Sequence, residues 1–90
     1  MVSDEKVRKG EIEIVKFFKE KDADIECTPK WHMDKDSLKV MLTHAKKPNA
    51  KPHIFYADDN LFRFEDCHQY DLPRLLNKEY RIYSNKLKTQ

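Results

Sequence analysis

The sequence predicts an α+β fold: a small antiparallel sheet containing a β-hairpin, covered by helices, in the order α-β-α-β-β-α. Helical apolar periodicity recurs along the chain. Two aromatic-rich runs, residues 52–57 and 61–66, flank a short polar turn. Ten aromatic residues among 90 supply large apolar surface, which disordered chains lack. A chain of this length makes one domain over residues 1–90, with a thin stability margin.

The first element is a helix over Asp4–Lys21. Val7, Ile14, Val15 and Phe18 share one helical face, and Ser3 or Asp4 can cap it. The rival is a strand over Glu11–Phe18, since Ile12 and Ile14 alternate with Glu11 and Glu13. The Glu and Lys content favours the helix, while Gly10 weakens it. A short strand over Asp24–Thr28 follows, stopped by Pro29. Asp34 or Asp36 then caps a second helix, in which Leu38, Met41, Leu42 and Ala45 recur at i, i+3, i+4 and i+7. Lys46-Lys47-Pro48 ends it, because proline cannot continue a helix.

The hairpin comes next. Pro52–Ala57 and Leu61–Asp66 are joined by Asp58-Asp59-Asn60, with Asn60 suited to the left-handed slot of a three-residue loop. That register sets Ile54, Tyr56, Phe62 and Phe64 on one face and Phe55, Ala57, Arg63 and Glu65 on the other. A two-residue loop would instead face Phe55 toward Phe62 and Phe64. The last helix is capped by Asp71 and has Pro73 in its first turn. Leu72, Leu75, Leu76, Tyr80, Tyr83 and Leu87 form its inward stripe.

Formal net charge is only +2, so no strong overall field draws the chain to nucleic acid or membrane. The excess sits at the end: residues 71–90 hold five basic and two acidic groups. Met1–Lys6 has no apolar core of the kind a secretory signal needs, and no apolar run is long enough to span a bilayer. A cytoplasmic location follows as the expectation, with Cys27 and Cys67 as reduced thiols. A disulfide between them would require a processed secreted form.

On the outer face of the last helix, Arg74, Lys78, Arg81 and Lys88 are spaced by four, three and seven, with Asn77 and Asn85 alongside. Such a stripe can neutralise phosphates or an acidic protein surface. A solvated polar face, with cations drawn to a helix C-terminus, explains the same pattern. Lys46, Lys47 and Lys51 form a second cluster on a proline-punctuated loop, flanked by His44 and His53. Val40 and His44 lie on the side of the second helix away from its leucines, where a partner or a second subunit can cover them. Trp31 is either a core plug or an exposed ring for stacking.

The cysteines and histidines have no CxxC, CxxH or HxxxH spacing, so no zinc site is expected. There is no Gly-rich phosphate loop, GxSxG or HExxH. His53 and Glu65 are the one cross-strand pair with acid–base character. A winged helix needs two helices before the hairpin, and Thr28–Ala45 holds one. The α-β-β-β-α order of double-stranded-RNA-binding domains fails because that helix interrupts the strands.

These absences favour a small non-catalytic protein-interaction domain acting as an inhibitor, adaptor or regulatory subunit, with another protein as partner. The alternative is a nucleic-acid-binding module using the basic face of the last helix and the Lys46–Lys51 loop. A small RNA-cleaving enzyme is the third class. No cofactor is expected. A homodimer is one further arrangement.

Overall fold

A computed structural model describes residues 4–32, 37–58 and 67–89 of the chain. Helix α1 (Asp4–Lys21) leads into strands β1 (Ile25–His32), β2 (Ser37–His44) and β3 (His53–Asp58), and helix α2 (Cys67–Lys88) follows. The three strands form one antiparallel sheet in the order β1-β2-β3. The fold is a small α+β arrangement, as the composition predicts, but its order is α-β-β-β-α.

The difference lies in β2. Leu38 and Leu42 are four apart, which suits a helix face and one face of a strand equally. Extended pairing decides between them. In the strand, Leu38, Val40 and Leu42 all point inward and are fully buried. Each is flanked by an inward neighbour on both sides: Leu38 by Trp31 and Ala57, Val40 by Pro29 and Phe55, Leu42 by Cys27 and His53. A helix would have turned Val40 outward. The predicted second helix is therefore absent, and no helix interrupts the described strands.

Strand β1 runs through Pro29 instead of stopping there. It is an edge strand, where a missing N–H can face away from the ladder. Beyond β2, the chain turns through Lys47 N–H to His44 O at 3.1 Å and Ala50 N–H to Lys47 O at 3.1 Å. Of the expected 52–57/61–66 hairpin, the first strand is β3, and residues 59–66 lie outside the described residues. Cys27 is a free thiol.

Both helices pack on the face of the sheet that carries Val40. In α1, Gly10, Ile14 and Phe18 line up four apart and are buried, so position 10 lies on the inward face of the helix. Val7 and Val15 are only half-buried, and Ile12 is 67% exposed. The ring of Phe18 lies 5.3 Å from Phe17 and 6.0 Å from Phe55, tying α1 to β3. Lys21 lies over the rings of Phe17 and Tyr80, at 5.4 and 6.0 Å, which joins the two helices by cation–π contact.

In α2 the inward stripe is Leu72, Leu76, Glu79 and Tyr83, with Leu75, Tyr80 and Leu87 half-buried beside it. The helix begins at Cys67, four residues before the expected Asp71 cap, so Pro73 lies inside it. Trp31 is half-buried and packs against the core. No described helix is long and apolar enough to cross a membrane.

The strand assignment makes Val40 a core residue. Val40→Ala should lower the unfolding free energy by about 1–3 kcal/mol in urea titrations followed by circular dichroism. A solvent-facing helical position would move it by less than about 0.5 kcal/mol.

Candidate functional site

Between Leu72 and Lys88, α2 carries five cations, Arg74, Lys78, Arg81, Lys86 and Lys88, and one acid, Glu79. Arg74, Lys78, Arg81 and Lys88 are exposed, with Asn77 and Asn85 exposed beside them. Glu79 is turned inward and is 9% exposed. The outer face of the helix therefore presents cations and amides with no carboxylate between Leu72 and Lys88.

Histidine 53 holds Glu79 inside. Its Nε2 lies 3.0 Å from Glu79 Oε1, and its Nδ1 lies 3.0 Å from Lys86 Nζ. An ammonium has no lone pair, so Lys86 donates and Nδ1 accepts. With Nδ1 accepting, Nε2 is the nitrogen that donates to the carboxylate. A cation and an anion are thus linked through one imidazole ring. That ring stacks on Tyr83 at 5.7 Å and 22°. The Tyr83 hydroxyl is buried with no hydrogen-bond partner among the described residues. Burial, and then the charge of Asp22, pushes its pKa up.

The loop after β2 folds against the end of α2. Lys47 Nζ donates to Leu87 O at 2.7 Å, placing a cation on the helix C-terminus where the dipole favours it. Lys47 thereby joins Lys86 and Lys88 in one basic end. Lys46 is neutralised by Asp24, 3.3 Å away. Lys51 is exposed. A shallow hollow of about 340 Å³ is lined by Lys46, Lys47, Pro48, Asn49 and Ala50.

Val40 and His44 do not form a surface pair. Val40 is 0% exposed, because extended pairing turns it into the core. His44 lies at the end of β2, with Nε2 2.9 Å from Asp22 Oδ2 and Nδ1 accepting Lys46 N–H at 3.2 Å. Asp22 is held below the usual carboxyl range, first by the Asp24 N–H on its Oδ1 and then by His44. Asp22, Asp24 and His44 each offer one atom within 4.8 Å of the others, as a metal would require. These atoms are already engaged with one another and with Lys46.

The expected His53–Glu65 pair has its second member outside the described residues, and Glu79 takes the partner's role. The signal was present in the sequence. Glu79 falls three residues after Leu76 and four before Tyr83, on the inward stripe, opposite a strand that carries a histidine. Burial pushes the Cys27 thiol up to about 12, against the thiolate form that a nucleophile needs.

Comparison with protein-family models, with curated proteins and with solved structures finds no match to this chain. The α-β-β-β-α order is therefore an order of elements only, and it brings no activity with it.

Two measurements check these networks. Glu79→Ala leaves the His53 Nε2–H without its acceptor and should cost about 1–3 kcal/mol of stability in urea titrations. A cost near zero would mean the contact is not made. The second concerns acid. Because the folded pKa of Asp22 is depressed, its stabilisation is complete above the unfolded value near pH 4 and is lost as pH falls through the folded value. Asp22→Asn should therefore destabilise at pH 6, and its gap to the parent protein should narrow as pH falls below about 4. A constant gap across that range would contradict the depressed pKa.

Proposed function

We propose that the chain is a non-catalytic nucleic-acid-binding module, contacting the phosphate backbone through the outer face of α2. The supporting observation is the inward turn of Glu79, which leaves Arg74, Lys78, Arg81 and Lys88 exposed with no outward acid between Leu72 and Lys88. Cations three and four residues apart lie about 5–6 Å from each other along such a face. Arginine adds planar bidentate recognition of phosphate, and Asn77 and Asn85 supply neutral donors between the charges. Lys47, Lys86 and Lys88 extend the same sign of potential to the end of the helix.

Reading a phosphate backbone needs no cavity and no nucleophile. It needs unpaired cations at repeated spacing, which this face supplies. The protein-partner reading stood first on the sequence, and Val40 and His44 were the residues named for a protein contact. With Val40 in the core and His44 bonded to Asp22, that reading keeps only the charged surfaces that serve nucleic acid equally well.

The salt dependence of binding tests the proposal. With a fluorescein-labelled oligonucleotide of mixed sequence, anisotropy titrations from 50 to 300 mM KCl should give a log–log slope of about −3 to −4, for four phosphate contacts. Replacing Arg74, Lys78 and Arg81 together by alanine should remove about 2–3 units of that slope. Each exposed change should move stability by less than about 0.5 kcal/mol. No binding at 50 mM salt, or a slope the triple variant leaves unchanged, overturns the reading.

A further inference from the structure

The outward surfaces of the fold differ in how they mix charge. On the sheet face that neither described helix covers, Lys30 lies opposite Lys39, but Glu26 and Asp58 are exposed on that same face. The outside of α1 mixes signs as well, with Glu5 and Glu20 exposed among Arg8, Lys16 and Lys19. Between Leu72 and Lys88, α2 exposes cations and amides with no acid among them. Among the described residues, no carboxylate lies within 4 Å of Arg74, Lys78, Arg81 or Lys88.

The shape of this surface is as distinctive as its charge. A helix turns about 100° per residue, so Arg74, Asn77, Lys78, Arg81, Asn85 and Lys88 fall within about 100° of arc. Leu72, Leu76, Glu79 and Tyr83 lie on the opposite side, turned inward. The six polar residues therefore form a ridge along the crest of the helix. At 1.5 Å per residue, the ridge runs about 21 Å from Arg74 to Lys88. It carries no ring. Tyr80 and Tyr83 are the aromatics of this stretch, and both are turned from it. Tyr83 is 1% exposed and stacks on His53, and Tyr80 is half-buried with Lys21 over its ring.

We infer that α2 lies along the major groove of double-stranded DNA, its ridge centred in the groove and its cations reaching the backbones on both sides. The inference rests on the nucleic-acid reading of α2 and adds the form of nucleic acid that it selects. Single strands are held by stacking bases on exposed rings, and the ridge offers none. A duplex needs no ring, because it presents one charge per about 1.7 Å with its phosphates already in place. The B-form major groove is about 12 Å wide, and a helix with its side chains is about 10–12 Å across. A crest seated there has one backbone on each flank, which Lys78 faces on one side and Lys88 on the other. The major groove of an RNA duplex is deep and too narrow for this fit.

A fluorescein-labelled 16-base-pair DNA duplex, one of its single strands and the RNA duplex of the same sequence test this by anisotropy from 50 to 300 mM KCl. Each phosphate contact contributes about 0.9 to the salt slope on a duplex and 0.7 on a single strand. From a common affinity at 1 M salt, four contacts should make the DNA duplex bind about 10-fold tighter than its single strand at 50 mM, narrowing to about 3-fold at 300 mM. The RNA duplex, reached along one backbone only, should lose at least one contact, about 15-fold at 50 mM. The DNA duplex should shift the backbone amides of residues 74–88 and leave those of residues 28–32, 39–41 and 54–56 in place, a readout that needs no variant to fold. Equal affinity for DNA duplex and single strand, or for DNA and RNA duplexes, overturns the groove inference. If the alanine triple at 74, 78 and 81 still weakens binding in that case, the phosphate-binding role of α2 survives alone. Amide shifts on the sheet and none on α2, or binding of none of the three probes, overturn both.

Discussion

The extended pairing of β2 is the constraint on which the rest depends. Leu38, Val40 and Leu42 reach zero exposure only because strands lie on both sides of Ser37–His44 and a helix layer lies above. Fully burying three branched aliphatic side chains contributes about 1.5–3 kcal/mol each, before the entropy of ordering them. A helix over the same residues could bury two of them and would leave Val40 in water. The same pairing fixes the parity of both edge strands. It turns His53, Phe55 and Ala57 inward and Tyr56 outward, and it brings Lys30 opposite Lys39. A one-residue slip would exchange the two faces.

The second constraint joins α2 to β3. An acid on the inward stripe of a helix is costly unless it is paired. Glu79 is paired through His53 to Lys86, so the charge it brings inside is balanced by a cation one imidazole away. Leucine at 79 would continue the stripe but leave the His53 Nε2–H unsatisfied. Each group thus makes the other tolerable, and the linkage fixes how α2 sits along β3. It also draws the only acid in Leu72–Lys88 away from the outer surface. A structural pairing inside therefore sets the electrostatics outside.

Much of this was legible in the sequence. The bounds of α1 and the apolar stripe of α2 follow from residue spacing, because a long segment gives a 3.6-residue period room to declare itself. Short segments do not. Over eight residues, Leu38 and Leu42 satisfy both periods, and only the neighbouring strands distinguish them. Val40 and Thr43, both β-branched, were the local hint toward a strand. Pro29 misled because its effect depends on whether the strand is an edge, which is a property of the sheet. Asp71 looked like a cap by composition, yet the helix starts at Cys67. Arg74, Lys78 and Arg81 were placed correctly because exposure on an amphipathic helix follows from its stripe. The sheet face was missed because the cross-strand rows do not exist until β2 is a strand.

A two-layer fold has two outward surfaces by construction: the outside of the helices and the face of the sheet that neither described helix covers. In this chain the two differ in chemistry. The outside of α2 carries charge on long, mobile side chains, which suits any array of phosphates whatever their bases. The sheet holds Lys30, Lys39 and Tyr56 in a row whose spacing the backbone hydrogen bonds fix. Charge alone would make the domain attractive to every polyanion.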